Sequence, residues 1–191
     1  MAKVLSRLWH AVLMTCLWTA ACFAQPIHFS CPPAGTVEQR GLGKLTYTGP
    51  SSADSFICEF SDYSNRSKSL LFNFYAPDAT NKETIRSEMI DLLSRKKPTV
   101  SFEFTTRQSP WMFKHTWTYL RRERLRIGGR TFNTVVLEEE TLQTNGAQLH
   151  GVFTRWLDPM NGLWLKSHFR YISGQVTGGV SGYQDVSITF P

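Results

Sequence analysis

The chain has 191 residues, 21 Lys and Arg against 15 Asp and Glu for a formal charge of +6, and 41% hydrophobic and 13% aromatic residues. That is enough chain to bury a core without extra staples. The charge is mild and spread out, which argues against the concentrated basic surface that nucleic-acid binding usually shows.

At the N-terminus, Lys3 and Arg7 precede an apolar run from Leu8 to Ala21, and small residues then lead to Gln25-Pro26. This order of basic, apolar and small regions is that of a cleavable signal sequence covering residues 1–24, and about 14 apolar residues are fewer than a spanning helix needs. Two processing routes fit: cleavage at Cys22-Phe23-Ala24, or lipidation of Cys22 within Thr19-Ala20-Ala21-Cys22, which resembles a bacterial lipobox without its usual leucine. The expected product is a single β-rich domain over residues 25–191, periplasmic or secreted, or else lipid-anchored through Cys22. Loss of Lys3 and Arg7 leaves 19 basic against 15 acidic residues, a balance of +4.

Four cysteines are present, of which Cys16 lies in the signal and Cys22 at the processing site, leaving Cys31 and Cys58. An even pair in an oxidising compartment predicts a disulfide, structural rather than redox-active because the two are far from Cys-x-x-Cys spacing. It closes a loop of about 27 residues and contributes ~3 kcal/mol by restricting the unfolded chain.

Residues 36–48 alternate well enough for a strand or hairpin turning at Gly41 and Gly43, and Gly49-Pro50-Ser51-Ser52 breaks the pattern. Residues 55–60 and 68–75 read as strands joined by a polar loop. Asn65-Arg66-Ser67 in that loop is a glycosylation sequon only in a glycosylating host. Thr80-Asn81-Lys82-Glu83 has the form of a capping box, and Ile85, Met89, Leu92 and Leu93 then share one helical face before Pro98 stops the helix. The basic run Arg95-Lys96-Lys97 suits the negative end of that helix's dipole, and reads as a solvated helix end.

From Thr99 onward the pattern is an antiparallel meander. Val100, Phe102 and Phe104 alternate with polar residues; a long strand covers 113–127; Gly128-Gly129 turns it into 131–142. Asn145-Gly146 leads into 148–157, the Asp158-Pro159-Met160-Asn161-Gly162 turn into 163–172, and Gly174 to Gly179 into a closing strand over 181–190. The expected fold is therefore mainly β, of the α+β class: a curved antiparallel meander or open barrel with one packed α-helix.

The run Arg121-Arg122-Glu123-Arg124-Leu125-Arg126 lies across a tight hairpin from Glu138-Glu139-Glu140. Counting from the turn pairs Thr118 with Glu139 and Arg121 with Val136, so cross-strand charge complementarity is the expected role, with an anion-binding patch as the sharper alternative. The same counting opposes His150 to Arg170 and Val152 to His168, which would make the histidines diagonal neighbours and the start of a metal site or hydrolytic centre. Neither a His-x-x-x-His motif nor a cysteine ligand pair completes one. Nor is there a Gly-x-Ser-x-Gly elbow, a pair of carboxylates that stands out, or a phosphate-cradling loop. The sequence thus points to no catalytic residues, no metal and no cofactor.

Aromatic residues are denser toward the C-terminus, where they either build a core or line a cavity for an apolar or sugar ligand. Trp156 and Trp164 fall opposite one another by counting across the Asp158 turn, as a stabilising cross-strand pair. The candidate ligand-binding residues are Trp117, Tyr119, Trp156 and Trp164, with Arg122 and Arg124.

Two segments carry a resemblance: Gly128-Gly129-Arg130-Thr131-Phe132-Asn133-Thr134-Val135-Val136, and Trp156-Leu157-Asp158-Pro159-Met160-Asn161-Gly162-Leu163-Trp164-Leu165-Lys166. They resemble hairpins of uncharacterised exported β-rich domains of Gram-negative bacteria, in which a Trp-x-Asp-Pro turn is followed by Gly-Leu-x-x-Lys. At the level of fold alone, the meander around a helix looks like the periplasmic lipoprotein-carrier open barrels, which hold acyl chains in a hydrophobic concavity. Export, strand-rich patterning, abundant aromatics and the lack of a catalytic constellation point to a non-catalytic periplasmic or envelope protein that binds an apolar ligand, lipid or partner protein on a curved sheet. A structural accessory subunit of an envelope complex and a metal-dependent or other hydrolase are the alternatives.

Overall fold

Strand-forming alternation dominates the chain, and the computed structural model turns it into two antiparallel sheets with one helix. It describes residues 28–41, 43–105, 110–146, 149–175, 182–185 and 187–191. The expected signal sequence, Cys22 and the turn at Gly178 and Gly179 lie outside the described residues.

The smaller sheet contains β1 (Val37–Arg40), β2 (Gly43–Pro50), β3 (Ile57–Ser61), β4 (Ser67–Leu71) and β11 (Ser187–Thr189), in the order β11-β1-β2-β3-β4. The larger contains β5 (Thr99–Phe104), β6 (Phe113–Ile127), β7 (Arg130–Gln143), β8 (His150–Asp158), β9 (Leu163–Ser173) and β10 (Tyr183–Gln184), in the order β10-β9-β8-β7-β6-β5. The meander is as expected from sequence, with one difference at its end. The closing strand is split in two, β10 pairing with β9 and β11 with β1, so the chain passes from one sheet to the other around Asp185.

Helix α1 (Lys82–Leu93) buries Ile85, Met89, Leu92 and Leu93, the four positions its periodicity selects, and packs against β5 and β6. Its start differs from the capping-box expectation. Asn81 is the N-cap and makes no side-chain cap; its amide instead donates to the Glu103 carbonyl, which fixes the helix to β5. Its end comes before Pro98: Arg95 adopts a left-handed φ of 61°, and the chain folds back so that Lys97 meets Glu88 at 2.9 Å and Asp91 at 3.3 Å.

The strand expected over 68–75 stops at Leu71. Phe72 and Asn73 take positive φ values of 52° and 54°, a conformation that bulky residues rarely hold without support from their surroundings. That support is visible: Phe72 is fully buried, and the Asn73 amide donates to Tyr47 Oη at 2.8 Å and to the Gly162 carbonyl at 2.9 Å. The sharp turn thus drives residues 72–75 between the two sheets.

Cys31 and Cys58 form a disulfide with Cα atoms 5.2 Å apart, tying the N-terminal segment to β3. That segment also crosses the Asp158 turn, where Ser30 N–H donates to the Pro159 carbonyl at 2.9 Å. Gly162 has φ of 58°, and a Cβ there would sit 2.4 Å from the Ser30 carbonyl oxygen. Both backbone shape and close approach therefore require glycine at this point of the Asp-Pro-Met-Asn-Gly turn.

Candidate functional site

Where the two sheets part, a cavity of about 210 Å³ opens between them. From the small sheet it receives Arg40, Leu45, Tyr47, Phe60 and Leu70; from the large sheet Arg155, Trp164 and Tyr183; from the inserted turn Asn73 and Phe74. Strand alternation explains the inward placement of Leu45 and Tyr47, two residues apart on β2, and the bulge between Trp156 and Leu157 turns Trp164 inward opposite Leu157.

A buried polar cluster backs each side of the cavity. On the large sheet, Arg155 Nε donates to Glu139 Oε2 and Arg155 Nη1 to Ser167 Oγ at 3.2 Å, while the guanidinium lies over Phe153 at 4.0 Å and Phe74 at 4.7 Å. Glu139 Oε1 lies 2.7 Å from His115 Nδ1 and accepts from the Thr141 hydroxyl at 3.3 Å. Burial acts to raise the Glu139 pKa, but the opposing charge of Arg155 and the bonds from Arg155 and His115 outweigh it and hold the carboxylate below its usual range. Above this group, Trp117 Nε1 donates to Tyr75 Oη at 2.6 Å. Burial, with Glu139 nearby, pushes the Tyr75 hydroxyl well above its usual value.

At the sheet junction, Arg40 donates to Glu38, to Asp185 Oδ1 at 3.0 Å and to the Trp164 carbonyl at 3.1 Å. Its guanidinium sits 3.8 Å from the centre of the Tyr183 ring, and Tyr47 Oη donates to Glu38 Oε2 at 2.7 Å. Two buried carboxyl groups here share one arginine. Burial and the negative charge of Glu38 push the Asp185 carboxyl up to about 8, so it carries its proton at neutral pH. Its Oδ2 is buried and has no hydrogen-bond partner among the described residues.

Of the residues singled out from sequence, Trp164 reaches the cavity. Trp117 is fully buried and packs on Trp164 with ring centres 5.6 Å apart. Tyr119 is half-buried beneath Arg95. Trp156 lies elsewhere, donating to Glu123 Oε1 at 3.1 Å under the Lys166 ammonium. Arg122 and Arg124 are exposed on the β6–β7 hairpin.

Bulges correct four pairings obtained by counting. Trp156 opposes Lys166 and not Trp164; Thr118 opposes Glu138 while Trp117 opposes Glu139; His150 opposes Ser173, and His168 opposes Thr154. Arg121 does oppose Val136. Of the acidic triplet, Glu139 is buried with Arg155, and Glu140 accepts the His150 contact at 2.7 Å. The two histidines are not diagonal neighbours. No group of three or more His, Cys, Asp or Glu suited to a metal ion occurs among the described residues. No helix among them is long and apolar enough to cross a membrane.

Fold and cavity together define a two-sheet antiparallel β protein with one packed helix and a polar-and-aromatic cleft at the sheet junction. No family model matches the chain, and no curated protein matches it. Among solved structures it is similar to the hypothetical lipoprotein YmcC from Escherichia coli (K12), with a TM-score of 0.53 and 15% identity over 93% of this chain and 97% of that one. At that identity the likeness is one of fold.

Proposed function

We propose that this chain is an exported, envelope-associated, non-catalytic protein of one domain that binds a small amphipathic ligand in the cleft between its sheets. The observation that carries the reading is the cavity of about 210 Å³, in which Leu45, Phe60, Leu70 and Phe74 stand beside Arg40, Asn73 and Arg155. Ligand sites are mostly apolar concavities with a few convergent polar groups, and this lining has that composition. An acyl or other apolar portion packs against the aliphatic and ring surfaces, and a polar head meets the guanidinium groups. The sequence-based expectation of a ligand on the concave sheet is narrowed in this reading, because helix α1 and the inserted turn occupy that concavity and leave the junction as the opening.

Export is supported by the N-terminal pattern of basic, apolar and small residues and by the Cys31–Cys58 bond, which persists in oxidising compartments. The similar fold of a protein described as a lipoprotein favours the envelope, with attachment through Cys22 as one form of it.

Native mass spectrometry of the mildly purified protein, followed by titration with fatty acids and lysophospholipids, tests the binding role. A bound amphiphile in the wild type, lost in Leu70→Trp where the added ring fills the cavity, is the expected result. A ligand-free wild type with no affinity for any of these probes overturns it.

A further inference from the structure

The cavity at the sheet junction presents charge of one sign. Of the described residues that line it, the charged ones are Arg40 and Arg155. Their carboxyl partners stand behind them: Glu38, Glu139 and Asp185 are 0%, 1% and 3% exposed, and none of the three lines the cavity. Both guanidinium charges act on the Tyr183 hydroxyl, and Arg40 lies 3.8 Å from the centre of that ring, so the two converge on one corner of the cleft.

The neutral donors of the lining are committed inward. Tyr47 Oη donates to Glu38, Tyr183 Oη to the Trp164 carbonyl and Trp164 Nε1 to the Phe72 carbonyl, while the Asn73 amide spends its two hydrogens on Tyr47 and Gly162. An occupant that seeks donors therefore meets guanidinium. That group has five N–H donors, and the contacts described above use three on Arg40 and two on Arg155. Positive charge and forked donors offered together select an anion.

We propose that the ligand of the cleft is a single-chain amphiphile with an anionic head, a carboxylate or a phosphate, which sits against Arg40 and Arg155 and holds the Asp185 side chain in its protonated form. This rests on the cleft reading and adds the sign of the head. A volume of about 210 Å³ is below the roughly 300–1,000 Å³ of drug-sized sites, which favours one chain over two. Behind the cavity, Arg155 with Glu139 and Arg40 with Glu38 balance one to one, so the charge of Asp185 sets the sign of what the head meets. Asp185 faces Glu38 and Arg40 of β1. Tyr183 of β10 lies on Arg40, Tyr47 of β2 on Glu38, and Arg155 of β8 acts on Tyr183, while β9 offers the Leu165 carbonyl to the Asp185 backbone N–H. Burial raises both tyrosine hydroxyls, Tyr183 to about 12, so they stay neutral over the range in which Asp185 titrates. Asp185 loses its proton near 8, and the negative charge it then adds opposes the head. Affinity is thus full below that pH and falls as pH rises through it.

Isothermal titration of the disulfide-bonded protein with decanoate, decyl phosphate, decyl glucoside and decyltrimethylammonium, each below its micellar concentration, tests the proposal. Decanoate or decyl phosphate should bind about tenfold more tightly than the glucoside, because charge-assisted hydrogen bonds outweigh neutral ones, and the cation should bind most weakly. The tighter of the two acids tells a fatty-acid head from a phosphate one. Decanoate stays ionised well above its own pKa, so its affinity should weaken by up to about tenfold per pH unit above 8, with uptake of a proton on binding. Asp185→Asn should remove both effects. Glucoside bound as tightly as the acids, a decanoate affinity that is flat with pH, or an unchanged pH dependence in Asp185→Asn overturns the proposal. Equal binding of all four heads that Leu70→Trp abolishes sinks it and leaves the cleft reading standing; no binding of any head sinks both.

Discussion

Two arginines, Arg155 buried and Arg40 one-third exposed, flank the same cavity, and their acidic partners end in opposite protonation states. Arg155 serves one carboxylate, Glu139, which a histidine and a hydroxyl also contact; that carboxyl is held below its usual pKa. Arg40 serves two, Glu38 and Asp185, and the second is pushed up to about 8. Burial acts on both carboxyls in the same direction, so it cannot be what separates them. The ratio of cations to carboxyl groups decides: one guanidinium cannot compensate two adjacent negative charges in a site that water barely enters.

The sharpest way to break this contrast is to remove the arginines one at a time. Arg155→Met strips Glu139 of its main counter-charge while leaving it 1% exposed, and removing one partner of a buried pair costs about 3–5 kcal/mol. A urea denaturation midpoint that falls accordingly, at unchanged slope, is the expected outcome. A loss under 1 kcal/mol would mean that His115 and Thr141 alone sustain the carboxylate. Arg40→Met should cost less, about 2 kcal/mol, because the Arg40 side chain is one-third exposed, Tyr47 still donates to Glu38 and Asp185 already holds a proton. The same urea titration ranks the two, and a larger loss for Arg40→Met would reverse the comparison.

Much of this fold is legible in the residues themselves. The alternation of the long strands, the Gly128-Gly129 and Asn145-Gly146 turns and the Ile85-Met89-Leu92-Leu93 face depend on neighbours close in sequence, and these appear where the pattern puts them. Half of the Arg155 cluster was legible too. On β7, Val135 and Leu137 point inward, so the same alternation turns Glu139 inward and leaves Glu138 and Glu140 outside; a buried carboxylate then demands a cation, and Arg155 stands among apolar residues on the next strand. Reading the three glutamates as one surface charge block hid this.

Register was the weaker part, because a bulge shifts every later pair by one and leaves little trace in side-chain type; Tyr119 to Arg121, His150 to Gly151 and Trp156 to Leu157 are instances. The cleft itself was illegible. Arg40 and Asp185 are separated by 145 positions and meet only because the last strand crosses between sheets, and the left-handed turn at Phe72 and Asn73 has no glycine to announce it.

The smallest effect in mild acid, and the most diagnostic in sign, belongs to Asp185→Asn. Near pH 4 the carboxyl is largely protonated in both the folded and the unfolded chain, and the amide can keep the Arg40 contact through its oxygen, so there the change should stay under about 1 kcal/mol. The pH dependence then separates the two proteins. In the unfolded chain this carboxyl loses its proton near 4, whereas in the folded protein it retains the proton up to about 8. Between those values the native state binds more protons than the unfolded one, so this group's contribution is complete below pH 4 and is lost as pH rises through 8. The slope reaches at most about 1.4 kcal/mol per pH unit. Denaturation midpoints measured from pH 5 to 9 should therefore fall more steeply for the wild type than for Asp185→Asn, with the variant the more stable at the alkaline end. Parallel curves would show that Asp185 is ionised beside Glu38 at neutral pH, and that one guanidinium suffices for two carboxylates after all.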